Sequence, residues 1–379
     1  MNFSRVTTFQ ESLKNISIPG TDLSIYLKGK EVYRHQTGYA DLESQAPITP
    51  NTLYAIWSMT KIITCAAALR LYEEGRFLMT DPLYEYLPAF KDVMYRKLNK
   101  NGVIDITPCT RPIRIVDLFT MSSGLTYNYS DEFLNAAKTT KNTGLLECVN
   151  ALAKDPLYFE PGTQWHYGAS HEVLGAFIEA LAGKPFGAYL HSDVFEPLGM
   201  KDTFFNLYIP DEKAGRIASA YNFNKNTLKH DKRNDSPRPD DWRVEWGGGG
   251  LISSVDDYAL FANTLCAGGT AANGYKLLSK ATVELMRTNH LDEARMKDYG
   301  CEGPHLAGYG YGLGVRTMVN RAAGGSGSNL GEFGWSGMLG TYVLMDTDAE
   351  LTYVYAQQLN PSKEEYIAPR LRNIIYACI

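Results

Sequence analysis

Residues 54–74 read YAIWSMTKIITCAAALRLYEE, and this stretch decides how the rest of the chain is read. From Ser58 onward it is rich in Ala, Leu and Ile, which favour helix, and Gly75 supplies a left-handed cap. The composition predicts a helix over 58–74 with Ser58 at its N-terminus. An i, i+3 spacing puts the Lys61 amine on the same face as the Ser58 hydroxyl. A serine hydroxyl is a weak nucleophile at neutral pH, so catalysis needs a neighbour that takes its proton and gains from a positive helix end facing the developing charge. Ser58 has both. Serine is also a favoured helix N-cap, and an S-x-x-K quartet arises by chance about once in a chain this long, so the quartet alone does not establish chemistry.

Outward from the quartet, Phe3, Val6, Phe9, Leu13 and Ile16 recur at three- and four-residue steps, which predicts a first helix ended by Pro19-Gly20. Leu23, Ile25 and Leu27 then alternate up to Gly29-Lys30, read as a two-residue turn, and residues 22–39 are expected to form a β-hairpin. Residues 80–245 carry mainly helical patterns and loops, including Glu172 to Ala182, and Lys225 to Glu245 mixes both charges with prolines as an exposed loop. A helix is expected over Asp256 to Cys266. Gly340 to Met345 and Leu351 to Gln357 are Tyr- and Val-rich runs that predict an antiparallel hairpin, and Lys363 to Ala377 a terminal helix. The organisation expected is one α/β layer structure built by residues 1–80 and 247–379, with 81–246 inserted as a helical lobe and a cleft between them.

The chain has 379 residues, 44% hydrophobic and 21% charged, with 34 Gly and 17 Pro scattered without period, which excludes disordered, fibrous and repeat classes. Its 37 Lys+Arg against 42 Asp+Glu give a formal charge of -5 with no one-sign block, so nucleic acid is not an expected partner. The apolar stretch Ile62 to Leu69 is far short of the ~20 residues a membrane span needs, and no membrane association is expected. The N-terminus lacks a signal-peptide pattern, so the expected location is cytoplasmic. Cys65, Cys109, Cys148, Cys266, Cys301 and Cys378 lie far apart with no C-x-x-C pair, and are read as reduced thiols without metal. His166 and His171 are five apart rather than four and do not suggest zinc. Residues 324–331, GGSGSNLG, lack the ending of a phosphate loop, and no G-x-S-x-G elbow is present.

Several further segments stand in a telling order: 115–125 (IVDLFTMSSGL), 160–169 (EPGTQWHYGA), Leu174-Gly175, 197–203 (PLGMKDT) and 248–257 (GGGLISSVDD). With 54–61 they resemble successive landmarks of the serine β-lactamase and penicillin-recognising superfamily, class C-like and closest to the family VIII carboxylesterases, over about residues 20–358. The resemblance implies a serine β-lactamase-like α/β (α+β) fold: a mostly antiparallel sheet flanked by terminal helices, plus an all-helical lobe. It implies Ser58 as nucleophile, with Lys61 and Tyr167, where the family places its Y-x-N tyrosine, as the groups that move its proton; which of the two is the base stays open. Trp335-Ser336-Gly337 stands at the family's Lys-Thr-Gly on an edge strand, so Trp335, Ser336 and Gly337 are expected to bind substrate. The backbone N–H groups of Ser58 and Met338 are expected to form the oxyanion hole.

Two departures point to the substrate. Trp335 removes the lysine that helps hold a carboxylate, leaving an apolar wall and one N–H. Ala169 replaces the Asn of Y-x-N and can neither donate to nor accept from a side-chain amide, so this substrate-binding position no longer favours β-lactams. The expectation is a serine carboxylesterase acting on small, short-acyl esters, with no cofactor, and with the 225–245 and 324–331 loops bordering the acyl pocket. Its rivals are an acyltransferase, a β-lactamase or D-amino peptide amide hydrolase on the same triad, or a binding protein that keeps the fold without catalysis.

Overall fold

The structure is a computed structural model that describes residues 1–139, 144–235 and 243–379. Helix α1 (Ser4–Ser12) tightens into a 3-10 turn over Leu13–Ile16, burying Val6, Gln10 and Leu13. Strands β1 (Gly20–Leu27) and β2 (Lys30–Asp41) form the expected hairpin. Its turn is Lys28-Gly29, one residue earlier than the sequence suggested. Both residues have positive φ, +52° and +70°, the pairing whose twist matches that of two antiparallel strands.

The hairpin belongs to an eight-stranded sheet. With β3 (Ala46–Pro47), β4 (Tyr309–Tyr311), β5 (Arg316–Met318), β6 (Phe333–Ser336), β7 (Tyr342–Asp346) and β8 (Leu351–Ala356), the order is β4-β5-β6-β7-β8-β1-β2-β3. Every neighbouring pair is antiparallel. The two ends of the sequence thus meet in the middle, where β1 pairs with β8. There β1 is buried on both faces over Gly20–Ile25, with Asp22 and Ser24 as well as Leu23 and Ile25 out of solvent.

One face of the sheet is covered by α1 and the C-terminal helix α5 (Glu364–Tyr376), with Val6, Leu13, Leu23, Ile25, Leu344, Tyr353 and Leu371 in one core. Against the other face lies α4 (Val255–Cys266), in a second core that also takes in α2 (Thr60–Glu73) and α3 (Ser170–Ala182), which pack on each other. Helix α2 is buried all round from Thr60 to Leu69, mostly through apolar side chains, with Thr60, Lys61 and Thr64 as its buried polar ones.

Helices are the commonest regular element of the 81–246 stretch, but its described residues are not all-helical. Met94–Leu98 and Ile104–Pro108 form an exposed hairpin, and Phe204–Phe205 pairs with Leu251–Ser254, which pairs in turn with Leu53–Ala55. Lys229–Lys232, expected as loop, pairs with Tyr221–Asn224, whose Tyr221 and Asn222 lie parallel to Leu359–Asn360. Its charged side chains suit an outer strand, where they discourage pairing with another chain. The rest of that charged segment falls partly on residues 236–242, outside the described residues.

Candidate active site

The backbone that carries Ser58 is clamped from several directions. Ala55 O accepts from Gln358 Nε2 at 3.0 Å, Ile56 N–H donates to Leu251 O at 3.0 Å, and Ile56 O accepts from Thr341 Oγ1 at 3.1 Å. Ser58 lies in a 3-10 turn, Trp57–Met59, so the regular helix starts two residues later than expected, and the serine faces a cavity rather than capping α2.

Lys61, on the first turn of α2, is fully buried. Its Nζ donates to Gly248 O at 2.5 Å and to Ser58 Oγ at 3.3 Å. Nζ also lies 4.9 Å from the centroid of the Tyr167 ring and 5.7 Å from that of Tyr127. Gly247 is held by Thr64 Oγ1, which donates to its carbonyl at 2.7 Å. Gly248 has no room for a side chain, since a Cβ there would stand 2.2 Å from Glu172 Oε1. Glu172 itself is buried, and its Oε2 has no hydrogen-bond partner among the described residues. Burial pushes its carboxyl above the usual range, and the Lys61 charge opposes that rise.

Tyr167 comes to the same place from the lobe, just ahead of α3. Its hydroxyl accepts from Trp335 Nε1 at 3.2 Å, and the two rings stack at 5.6 Å with an interplanar angle of 21°. The one N–H that the indole offers is therefore used on the phenolic oxygen. Trp335 and Ser336 lie on β6, which is an inner strand of the sheet, not an edge strand. Its ladder with β5 covers only Phe333 and Gly334, however, so Trp335 and Ser336 have a partner on one side alone and an open edge on the other. Gly337 is required by its neighbours: a Cβ would stand 2.4 Å from Ile56 O and 2.2 Å from Thr341 Oγ1. Met338 lines the same cavity as Ser58, and neither the Ser58 nor the Met338 backbone N–H has an acceptor among the described residues.

A cavity of about 580 Å³ opens over these groups. Ser58, Tyr167, Trp335, Ser336, Gly337 and Met338 line it, and so do Trp57, Tyr127, Tyr129, Glu172 and Trp246, which the sequence reading did not single out. Ala169 does not. It is fully buried at the start of α3, in the core rather than on the cavity wall, because the chain turns into the helix at that residue. Of the two loops expected to border the pocket, Val244 from the charged segment is on the wall and no residue of 324–331 is.

Neither histidine faces the cavity. His171 is fully buried against Cys65 Sγ (3.5 Å) and Phe119 O (3.4 Å), and burial pushes its imidazole down to about 3, while His166 packs on the Tyr158 ring at 5.1 Å. Among the described residues no group of His, Cys, Asp and Glu is placed to hold a metal ion, and no helix is long and apolar enough to cross a membrane.

A serine hydrogen-bonded to a buried lysine at the floor of a cleft, with a tyrosine across from it on an antiparallel sheet-and-lobe fold, defines a serine hydrolase of the β-lactamase-like class. A family profile described as Beta-lactamase matches residues 6–376, and the chain belongs to that family. It is 31% identical to protein Rv1367c of Mycobacterium tuberculosis over 353 residues, 91% of this chain and 86% of the relative. It is 26% identical to Esterase EstB of Burkholderia gladioli, over 97% of this chain and 93% of the esterase. The solved structure of EstCE1, a hydrolase with promiscuous acyltransferase activity, shares the fold at a TM-score of 0.79 and 23% identity, with 98% of each chain covered.

Proposed function

We propose that the protein is a serine carboxylesterase that cleaves small, short-acyl esters through an acyl-enzyme on Ser58. The observation that carries this reading is the Lys61 Nζ to Ser58 Oγ hydrogen bond on the cavity floor, with Tyr167 beside it. Ser58 Oγ adds to the ester carbonyl while its proton passes to Lys61 or Tyr167. The carbonyl oxygen takes the negative charge and is received by the free N–H groups of Ser58 and Met338. Collapse expels the alcohol, which takes the proton. Water then adds to the acyl-enzyme, giving its proton to the same base, and the acid leaves as Ser58 is restored.

Trp335 supports ester over β-lactam cleavage, since it supplies no charge for a carboxylate and has its N–H committed to Tyr167. The alcohol of an ester is also a better leaving group than the amine of an amide, which must be protonated as it leaves. Mass spectrometry after exposure to a fluorophosphonate tests the nucleophile: one adduct on Ser58, absent in Ser58→Ala, is expected, and an adduct on another serine refutes the mechanism. Steady-state comparison of a short-chain ester with a chromogenic cephalosporin tests the class, and a higher kcat/KM for the cephalosporin overturns it.

Acyl transfer is the second reading, favoured by the aromatic wall of the cavity, whose apolar surface suits an organic alcohol better than water. The promiscuous acyltransferase activity of EstCE1, which shares the fold, points the same way. Adding an alcohol acceptor to the ester assay distinguishes the two by the share of acyl group captured as a new ester.

A further inference from the structure

The residue before Ser58 holds a conformation that its type disfavours. Trp57 has φ +45°, in the left-handed region where a side chain is strained. Among the described side-chain residues with positive φ, Trp57 is the only aromatic one. The conformation is imposed by the clamps on Ala55 and Ile56 and by the Met59 N–H to Ile56 O bond at 3.1 Å. Glycine would meet the backbone requirement without strain, so the indole answers a different one.

The ring lines the cavity next to Ser58 and opposite Gly249, whose Cβ would stand 4.0 Å from Trp57 Cε3. The other large aromatics of the wall are matched among themselves: Tyr127 with Tyr167 at 5.9 Å, Tyr129 with Trp246 at 6.3 Å, and Tyr167 with Trp335 at 5.6 Å. Trp57 has no aromatic neighbour at such a distance among the described residues, and its indole N–H has no acceptor there. Among those residues it is the one tryptophan face of the cavity wall left without a ring against it.

We propose that Trp57 is a specificity-determining residue whose ring stacks on a planar group of the substrate, an aromatic or conjugated substituent next to the scissile ester. The inference rests on Ser58 being the nucleophile of an esterase, and it names the substrate class of that site. Aromatic pairs gain beyond their buried area through offset or edge-to-face contact. A saturated ring of the same size would fill the space without that gain.

Two matched pairs of esters test this: methyl phenylacetate against methyl cyclohexylacetate for the acyl side, and benzyl acetate against cyclohexylmethyl acetate for the alcohol side. Each rate is normalised to alkaline hydrolysis. In the wild type, one pair should favour its aromatic member by about fivefold in kcat/KM, chiefly through KM, and which pair does so identifies the side Trp57 reads. Trp57→Leu should bring that ratio to about one. Trp57→Gly, which removes ring and strain together, should do the same and keeps the test decisive if the leucine variant fails to fold. A ratio unchanged in a folded variant, or no aromatic preference in either pair, overturns the proposal. Fluorophosphonate labelling of each variant separates the premises: no adduct on wild-type Ser58 defeats the esterase reading, whereas labelled protein with an unmoved ratio defeats only the role of Trp57.

Discussion

Replacing Trp335 by phenylalanine would keep a ring against Tyr167 and remove the N–H that reaches its hydroxyl. A single hydrogen bond of this kind is worth about 1 kcal/mol, so kcat should fall by about fivefold to tenfold with KM little changed. A larger rise in KM than fall in kcat would mean that the indole serves substrate binding instead. Lys61→Ala and Tyr167→Phe should each remove most of the activity, and the double variant should lose hardly more than either, because groups acting on one proton are not additive. That Ser58, Lys61 and Tyr167 lie together was legible in the sequence because two belong to one quartet and the third to an ordered series of landmarks. The Trp335–Tyr167 bond was not, since it joins residues 168 apart in sequence. Glu172 carried a weak signal, five residues past Tyr167, but its spacing reads as an ordinary helix start. Ala169 shows the converse limit: a motif gives a position, and the turn into α3 decides where the side chain points.

The tight approach of Gly337 to Ile56 couples strand β6 to the Ser58 turn. Gly337→Ala should push them apart, cutting kcat by about a hundredfold or more, at the scale of losing an oxyanion donor, while the protein stays folded. Near-normal turnover in the purified variant would show that the strand end is not part of the machinery. In the lobe, burial pushes the Glu245 carboxyl up to about 7; the Gly187 N–H that donates to it at 2.6 Å opposes the rise and Glu179 adds to it. The folded state therefore binds that proton more tightly than the unfolded chain. The stabilisation is present below the ordinary carboxyl value and is lost as pH rises through about 7, on the order of 3 kcal/mol in all. Denaturant unfolding at pH 5 and pH 8 should show this loss, and Glu245→Gln should flatten it. The helices and the first and last hairpins were readable because each has one buried face or a run of buried positions. The hairpin over 94–108 was missed because Tyr95 is its only buried residue, so no alternation marks it.

At the scale of the molecule, strands near both ends of the chain could be read from the change of period, whereas the meeting of β1 with β8 needed the long-range pairing itself. The chain ends converge there. The Phe3 ring lies 5.2 Å from that of Tyr33, and Cys378 is close enough to Tyr33 to bear on its hydroxyl. A circular permutant that joins residues 379 and 1 by a short flexible linker and opens between Lys100 and Asn101, both exposed, should fold and keep activity within a few-fold. Loss of the circular dichroism signature would show that the ends do more than meet.

The cavity floor draws on residues 57–61, 167–172, 246–249 and 335–338, so the serine is made early in synthesis and the strand end beside it late. If Ser58 is the nucleophile proposed above, an unfinished chain on the ribosome carries an unarmed hydroxyl, and turnover should begin only after residue 356 of 379, when the last strand can close beside the first. On that reading, activity would be a certificate of complete folding, issued by the fold itself.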